Sequence, residues 1–194
     1  MSTNTKLYDA IEYNNKIENK AWFNANLEAI KAIYDFYDVE YNFDNILDII
    51  KNINVINGHD NDIVSYDYKT NTLVLGNSQK NREYNLFKSF LQITSQKGIV
   101  RYSEDGHEYW QNLNNIIIDR LILDTTGIRQ EEIENENIYE LSENDEKRSK
   151  EDELLFMINS IVPSKTLINC FVNQKGDELY SDFFKERNIN TQVK

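Results

Sequence analysis

The sequence predicts an α+β fold that is predominantly α-helical, with a small β-hairpin or sheet. Apolar residues recur at helical spacing over most of the chain, as at Leu27, Ile30 and Tyr34. The period changes at residues 63–76, where two short runs rich in β-branched and aromatic residues meet at a turn, 69–71. Hydrophobic residues make up 40% of the chain, which is enough for a folded core.

The N-terminal part is predicted to be helical. Residues 6–20 form a polar helix and residues 22–39 a clearer amphipathic helix. Asp44 is placed to cap a third helix, because a carboxylate accepts hydrogen bonds from the first turn. Its inward residues are Ile46, Ile50 and Ile53. Asn57-Gly58 is expected to end that helix, since glycine adopts the left-handed stop conformation.

The remaining segments complete one domain spanning 1–194, a length that suits a single core. Helices are predicted over 82–96, from Trp110 to Leu121, and over 151–161, 164–173 and 176–187. The helix after Trp110 is expected to be central, because apolar residues cover most of its circumference. The domain divides into N-terminal helices (1–57), a core (60–130), an acidic segment (131–150) and C-terminal helices (151–187).

The net charge of −12 opposes direct binding to nucleic acid or to anionic membrane. Residues 131–153 hold eleven acids and three bases. This segment is either a solvated acidic surface or a docking surface for a protein with a basic surface. The candidate partner-binding acids are Glu131, Glu132, Glu134, Glu136, Glu140, Glu143, Asp145 and Glu146.

The N-terminal residues lack the apolar region of a signal peptide, and no apolar run approaches the roughly 18 residues of a membrane helix. A cytoplasmic protein is expected. The single cysteine, Cys170, excludes an internal disulfide and lies among apolar neighbours, so a buried, inert thiol is predicted.

A hairpin, a helix, a loop and a second buried helix follow one another between residues 60 and 130. This order, with the C-terminal helices up to residue 187, resembles a gluzincin-type metallopeptidase domain. In that family the first helix carries His-Glu-x-x-His. The two His bind zinc, the Glu acts as general base, and a Glu on the second helix is the third ligand.

The resemblance places other residues at each of these positions. Phe87 and Leu91 stand where the two His are expected, Lys88 where the Glu is expected, and Asn115 where the third ligand is expected. Phe and Leu cannot ligate zinc, and Lys88 adds a positive charge. The resemblance therefore implies a degenerate domain without zinc catalysis, and no metal or cofactor is predicted. The alternative is an unrelated helical domain in which helix 82–96 is simply amphipathic.

Other candidate metal or catalytic groups are weak. His59 and His107 lie in predicted loops and are expected to be ordinary surface histidines. Asp60-Asn61-Asp62 begins like a calcium loop, but the glycine and the terminal glutamate of that motif do not follow.

The leading hypothesis is a non-catalytic, pseudo-metallopeptidase-like protein that acts as a protein-binding module or inhibitor. The alternative is an acidic inhibitor encoded by a phage or mobile element, like an anti-CRISPR or DNA-mimic protein that blocks a nucleic-acid-binding host defence enzyme. A toxin immunity protein fits the same size and charge. An enzyme whose chemistry the motifs do not reveal is a third, weaker hypothesis. The sequence makes no prediction of oligomeric state.

Overall fold

The computed structural model describes residues 3–99, 101–102, 108–109, 111–128, 153 and 156–185. It confirms the predicted class, a mostly helical α+β fold with a small sheet. The helices are α1 (Thr3–Tyr13), α2 (Lys20–Phe36), α3 (Leu47–Asn52), α4 (Arg82–Ser95), α5 (Gln111–Thr126), α6 (156–159), α7 (Ser164–Val172) and α8 (Gly176–Leu179). A 3-10 turn, Phe43–Ile46, precedes α3, and a π-helical turn, Tyr180–Lys185, follows α8.

The main sheet has three strands, β1 (Asn54–Asn57), β2 (Ser65–Asp67) and β3 (Thr72–Leu75), in the order β1-β3-β2. The central strand β3 pairs in parallel with β1 and antiparallel with β2. Its Leu73 is fully buried, so one face of the sheet contributes to the helical core. A second antiparallel pair joins β4 (Arg101–Tyr102) to β5 (Glu108–Tyr109).

The third helix does not run to Asn57-Gly58, and that prediction is wrong. Helix α3 ends at Asn52, and the chain continues as strand β1. The buried Asn14 amide donates to the carbonyl oxygens of Ile50 (2.8 Å) and Ile53 (3.1 Å), which satisfies the end of the helix from another segment. The residues of β1 then pair with the backbone of β3. The presence of a glycine at position 58 does not indicate this pairing.

Helices α2 and α4 meet in the middle of the core. The side chain of Asn19 caps α2 by accepting a hydrogen bond from the backbone N–H of Trp22 (3.0 Å). Phe90 of α4 packs against Phe23 and Trp22, with ring centroids 5.1 and 5.7 Å apart. The buried face predicted for α2 is confirmed, because Leu27 and its neighbours at helical spacing are buried.

The loop after α4 is tied to α5 by Asn114. Its side-chain oxygen accepts from the backbone N–H of Ile99 (2.8 Å), and its amide donates to the carbonyl oxygens of Ile99 (2.8 Å) and Lys97 (3.0 Å). Gly98 adopts a left-handed φ of 62° inside this clamp. A Cβ atom there would lie 2.7 Å from the Asn114 oxygen and from the Phe171 ring, so both backbone and packing require glycine.

The buried apolar side chains form one cluster that extends from Leu7 in α1 to Leu179 in α8. Among the helices of the described residues, none has the length and apolar character needed to cross a membrane.

Candidate functional site

The two positions of α4 that the resemblance assigns to zinc-binding histidines are occupied by core residues. Leu91 is 0% exposed and belongs to the main cluster. Phe87 is half-buried and packs against that cluster. Residues four apart lie on the same helix face, so both side chains serve helix packing.

The other two positions have different environments. The ammonium of Lys88 lies 5.8 Å from the ring centroid of Tyr84, which is a cation–π contact within the same helix. Asn115 is exposed on α5. Its neighbour Asn114 is the residue that reaches the loop after α4. Phe87 and Leu91 both contribute to the core, whereas Asn115 is exposed to solvent.

The predicted acidic segment, with Glu131, Glu132, Glu134, Glu136, Glu140, Glu143, Asp145 and Glu146, lies outside the described residues. His107 lies outside them as well. His59 is exposed, and its backbone N–H donates to the carboxylate of Asp62 (2.7 Å) across the loop before β2. Within the part of the chain that the structure describes, no three His, Cys, Asp or Glu side chains are grouped to hold a metal ion.

Cys170 is buried in α7, as predicted. Burial raises the pKa of its thiol, with a smaller contribution from the carboxylate of Glu178. A raised pKa disfavours the thiolate, which is the nucleophilic form, so the environment of Cys170 suits packing.

An open cleft lies between the C-terminal half of α2 and the segment that leads into the 3-10 turn. Its volume is about 280 Å³. It is lined by Lys31, Tyr34, Asp35, Val39, Tyr41, Asn42 and Phe43. The chain reverses between these two walls at Asp38, which adopts a left-handed φ of 52° after the end of α2.

Aromatic side chains form the inner wall of the cleft. The Tyr41 ring packs at 5.0 Å from the Tyr34 ring and edge-on at 4.5 Å from the Phe43 ring. The Tyr41 hydroxyl donates to the Thr94 carbonyl oxygen (2.6 Å), and the Tyr34 hydroxyl is hydrogen-bonded to the Thr94 side chain. Burial raises the pKa of both tyrosines, so their hydroxyls stay neutral at physiological pH. The wall is therefore fixed, aromatic and uncharged.

The sequence around the cleft is acidic. Residues 32–50 contain no Lys, Arg or His and five acids, Asp35, Asp38, Glu40, Asp44 and Asp48. Three of these acids have basic partners elsewhere in the chain: Asp38 pairs with Lys165, Asp44 with Lys6 (3.5 Å) and Asp48 with Lys51 (3.3 Å). The exposed carboxylates of Asp35 and Glu40 form no ion pair with any other described residue.

The sequence patterns did not predict this cleft. The signal was present as a run of acids without a base, interleaved with aromatic residues at 34, 37, 41 and 43. Helical periodicity predicted Tyr34 as a core residue, and the stronger acidic bias of residues 131–153 predicted a docking surface in that segment instead. The left-handed turn at Asp38, which folds the two walls together, has no glycine to mark it.

Comparison of the chain with protein-family models, with curated proteins and with solved structures returned no match. The candidate functions therefore rest on the residues of this chain.

Proposed function

We propose that the protein is a non-catalytic protein-binding module whose partner presents a basic surface. The observation that carries this proposal is the run of five acids between residues 35 and 48, next to an open, aromatic-lined cleft that Asp35 lines. Phe36, which follows Asp35 in the sequence, is 66% exposed. Aromatic side chains next to carboxylates are a combination that protein interfaces use, because the aromatic area anchors the partner and the charges select it.

The core position of Leu91 supports the non-catalytic part of the proposal. Full burial of such a side chain contributes about 1.5–3 kcal/mol, which a zinc ligand at that position would forgo. Descent from a metallopeptidase remains a prediction. Metal analysis of the purified protein tests it directly: stoichiometric zinc, together with peptidase activity that chelation abolishes, would overturn the non-catalytic assignment.

A second candidate function is inhibition of a nucleic-acid-binding enzyme, or neutralisation of a toxin, by occupation of a basic groove. The observation in its favour is the concentration of acidic residues in two segments of the chain. Residues 32–50 hold five acids and residues 131–153 hold eleven, of 33 in the chain. The genes next to the one that encodes this protein would separate the variants of this hypothesis, since a toxin gene, phage genes or a defence locus each indicate a different partner.

The experiment that tests the main proposal combines affinity purification with charge-neutral variants. A partner is isolated with the unmodified protein and its affinity is measured over a range of salt concentrations. The test variant carries Asp35→Asn and Glu40→Gln. The control variant carries Asp60→Asn and Glu18→Gln, which neutralise two exposed acids away from the cleft. We expect about tenfold weaker binding and a flatter salt dependence for the test variant alone.

Equal affinities for the test and control variants would contradict the proposal for this surface. A partner whose affinity is insensitive to salt would contradict the electrostatic basis of recognition. Loss of binding on neutralising residues 131–153, with the cleft variant unaffected, would move the interface to that segment.

A further inference from the structure

The cleft between α2 and the 3-10 turn is small for a cofactor. Its volume of about 280 Å³ lies just below the roughly 300–1,000 Å³ of most small-molecule sites. The cleft is open to solvent. Its inner wall is fixed, because Thr94 holds the hydroxyls of Tyr34 and Tyr41. A cavity of this size suits a single inserted side chain.

The charges at the cleft favour a cation. Asp35 lines it, and Glu40 lies between the lining residues Val39 and Tyr41. The lining also includes Lys31, but its ammonium lies 3.9 Å from the carboxylate of Glu28, one turn earlier in α2. The lysine charge is thus partly offset on the helix, whereas Asp35 has no ion-pair partner in the described chain.

The aromatic inner wall of the cleft favours a guanidinium group over an ammonium group. A guanidinium group is planar, stacks on aromatic faces and binds a carboxylate through two parallel hydrogen bonds. The cleft offers the partly exposed ring of Tyr41 together with the exposed residue Asp35, and the buried rings of Tyr34 and Phe43 lie behind Tyr41. An ammonium would use the carboxylate but would gain less from a planar aromatic surface.

We propose that this cleft receives an arginine side chain of the basic partner, with Asp35 as its carboxylate and the Tyr41 ring as part of its aromatic wall. The inference rests on the proposed function and specifies the residue type that the partner contributes. It makes Asp35 a specificity-determining residue, and it assigns Glu40 a longer-range role in attracting the basic surface.

The test uses a small probe in place of the partner. N-acetyl-L-arginine amide is titrated into the full-length protein, and backbone amide resonances are followed by NMR. N-acetyl-L-citrulline amide is the matched control probe, because it is nearly the same size and uncharged. We expect saturable shifts at the residues that line the cleft with the arginine probe, and binding at least about tenfold weaker with the citrulline probe.

Variants assign the binding to named groups. Asp35→Asn should weaken the arginine probe about tenfold, while Asp60→Asn, the exposed control, should leave its affinity unchanged. Tyr41→Leu should weaken the probe, because it removes the aromatic ring. Tyr41→Phe, which keeps the ring and loses the hydrogen bond to Thr94, should weaken the probe less than Tyr41→Leu does. The amide spectrum of each variant reports whether it is folded.

Equal affinity for the two probes, shifts that lie away from the cleft, or an unchanged affinity of Asp35→Asn would overturn the inference. The outcomes separate it from the proposed function. If a basic partner binds but the arginine probe does not perturb the cleft, the cleft assignment fails and the binding function stands. If the probe binds as expected but the Asp35→Asn, Glu40→Gln variant keeps full affinity for the partner, the cleft recognises arginine and the interface lies elsewhere.

Discussion

The two halves of helix α2 pack against different surroundings. Its first half presents Phe23 and Leu27 to Phe90 of α4 and closes into the apolar core. Its second half presents Tyr34 and Asp35 to the segment beyond Asp38 and leaves an open cleft. Both halves follow the same helical period, so periodicity alone does not distinguish them.

The difference lies in what the facing segment supplies. Opposite Phe23, α4 supplies an aromatic ring that fills the space. Opposite Tyr34, the chain supplies Tyr41, whose ring packs against the buried Tyr34 side chain. The exposed residues Asp35 and Glu40 carry carboxylates that need water, so the outer edge of the cleft stays open. The first region should therefore govern stability and the second should govern binding.

The largest expected effect is on the core side. Leu91→Ala should lower the free energy of unfolding by about 2–5 kcal/mol, because it removes a fully buried side chain and leaves a cavity. Urea denaturation followed by circular dichroism measures this change. Asn115→Ala, at the exposed position on α5, is the control and should change stability by less than about 0.5 kcal/mol. Similar losses for the two variants would mean that the two positions do not differ in burial.

The loop between α4 and α5 tests how tightly the core side is packed. Gly98→Ala should destabilise the protein by about 1 kcal/mol more than Gly127→Ala, measured by urea denaturation. Both glycines have a left-handed φ, so both variants carry backbone strain of about 1–2 kcal/mol. Only at Gly98 does the added Cβ meet Asn114 and Phe171, since Gly127 has open space around it. Equal losses would show that the clamp tolerates the methyl group.

The buried amide of Asn14 is the next test, because it joins α1 to the end of α3. Asn14→Ala should cost about 1–3 kcal/mol, since two buried carbonyl groups lose their donor. Thermal unfolding at neutral pH measures the loss. Asn45→Ala, on the exposed side of the 3-10 turn, serves as the control. A loss no larger than that of the control would indicate that the two carbonyl groups find other partners.

High pH should destabilise the protein through its tyrosines. Burial raises the pKa of Tyr66 to about 12 and raises those of Tyr34 and Tyr41 further, from an ordinary value of 10.0. Above pH 10 the unfolded chain loses these protons while the folded protein keeps them. The free energy of unfolding should therefore be constant with respect to these groups below pH 10 and should fall as pH rises through 12 and beyond.

Urea midpoints at increasing pH, with ultraviolet absorbance of tyrosinate as a second probe, check this expectation. Tyr66→Phe should remove part of the decline between pH 10 and 12. A stability that stays level over that interval in the unmodified protein would contradict the buried environment of these hydroxyls.

The smallest expected effect on stability is at the cleft. Asp35→Asn should change the free energy of unfolding by less than about 0.5 kcal/mol, because the carboxylate is exposed. The same variant should reduce arginine binding about tenfold. Calorimetric unfolding and the probe titration measure the two quantities on one sample. A large loss of stability would make Asp35 a structural residue and would remove the contrast between the two halves of α2.

Much of the fold was predictable from local pattern. The helical faces with Ile46 and Ile50, the hairpin of β2 and β3, and the burial of Leu91 follow from the spacing of apolar residues. Apolar side chains must leave water whatever their partners are, so their periodicity indicates which face is buried.

The site was less predictable for a physical reason. Strand β1 exists because β3 offers it a backbone ladder, and α3 ends where Asn14 reaches its carbonyl groups. The cleft exists because a left-handed residue, Asp38, turns the chain so that Tyr41 faces Tyr34. By itself the sequence determined which faces are apolar and where acids accumulate. Only the tertiary structure decided which segments meet, because hydrogen-bond partners and cavity walls come from residues distant in the chain.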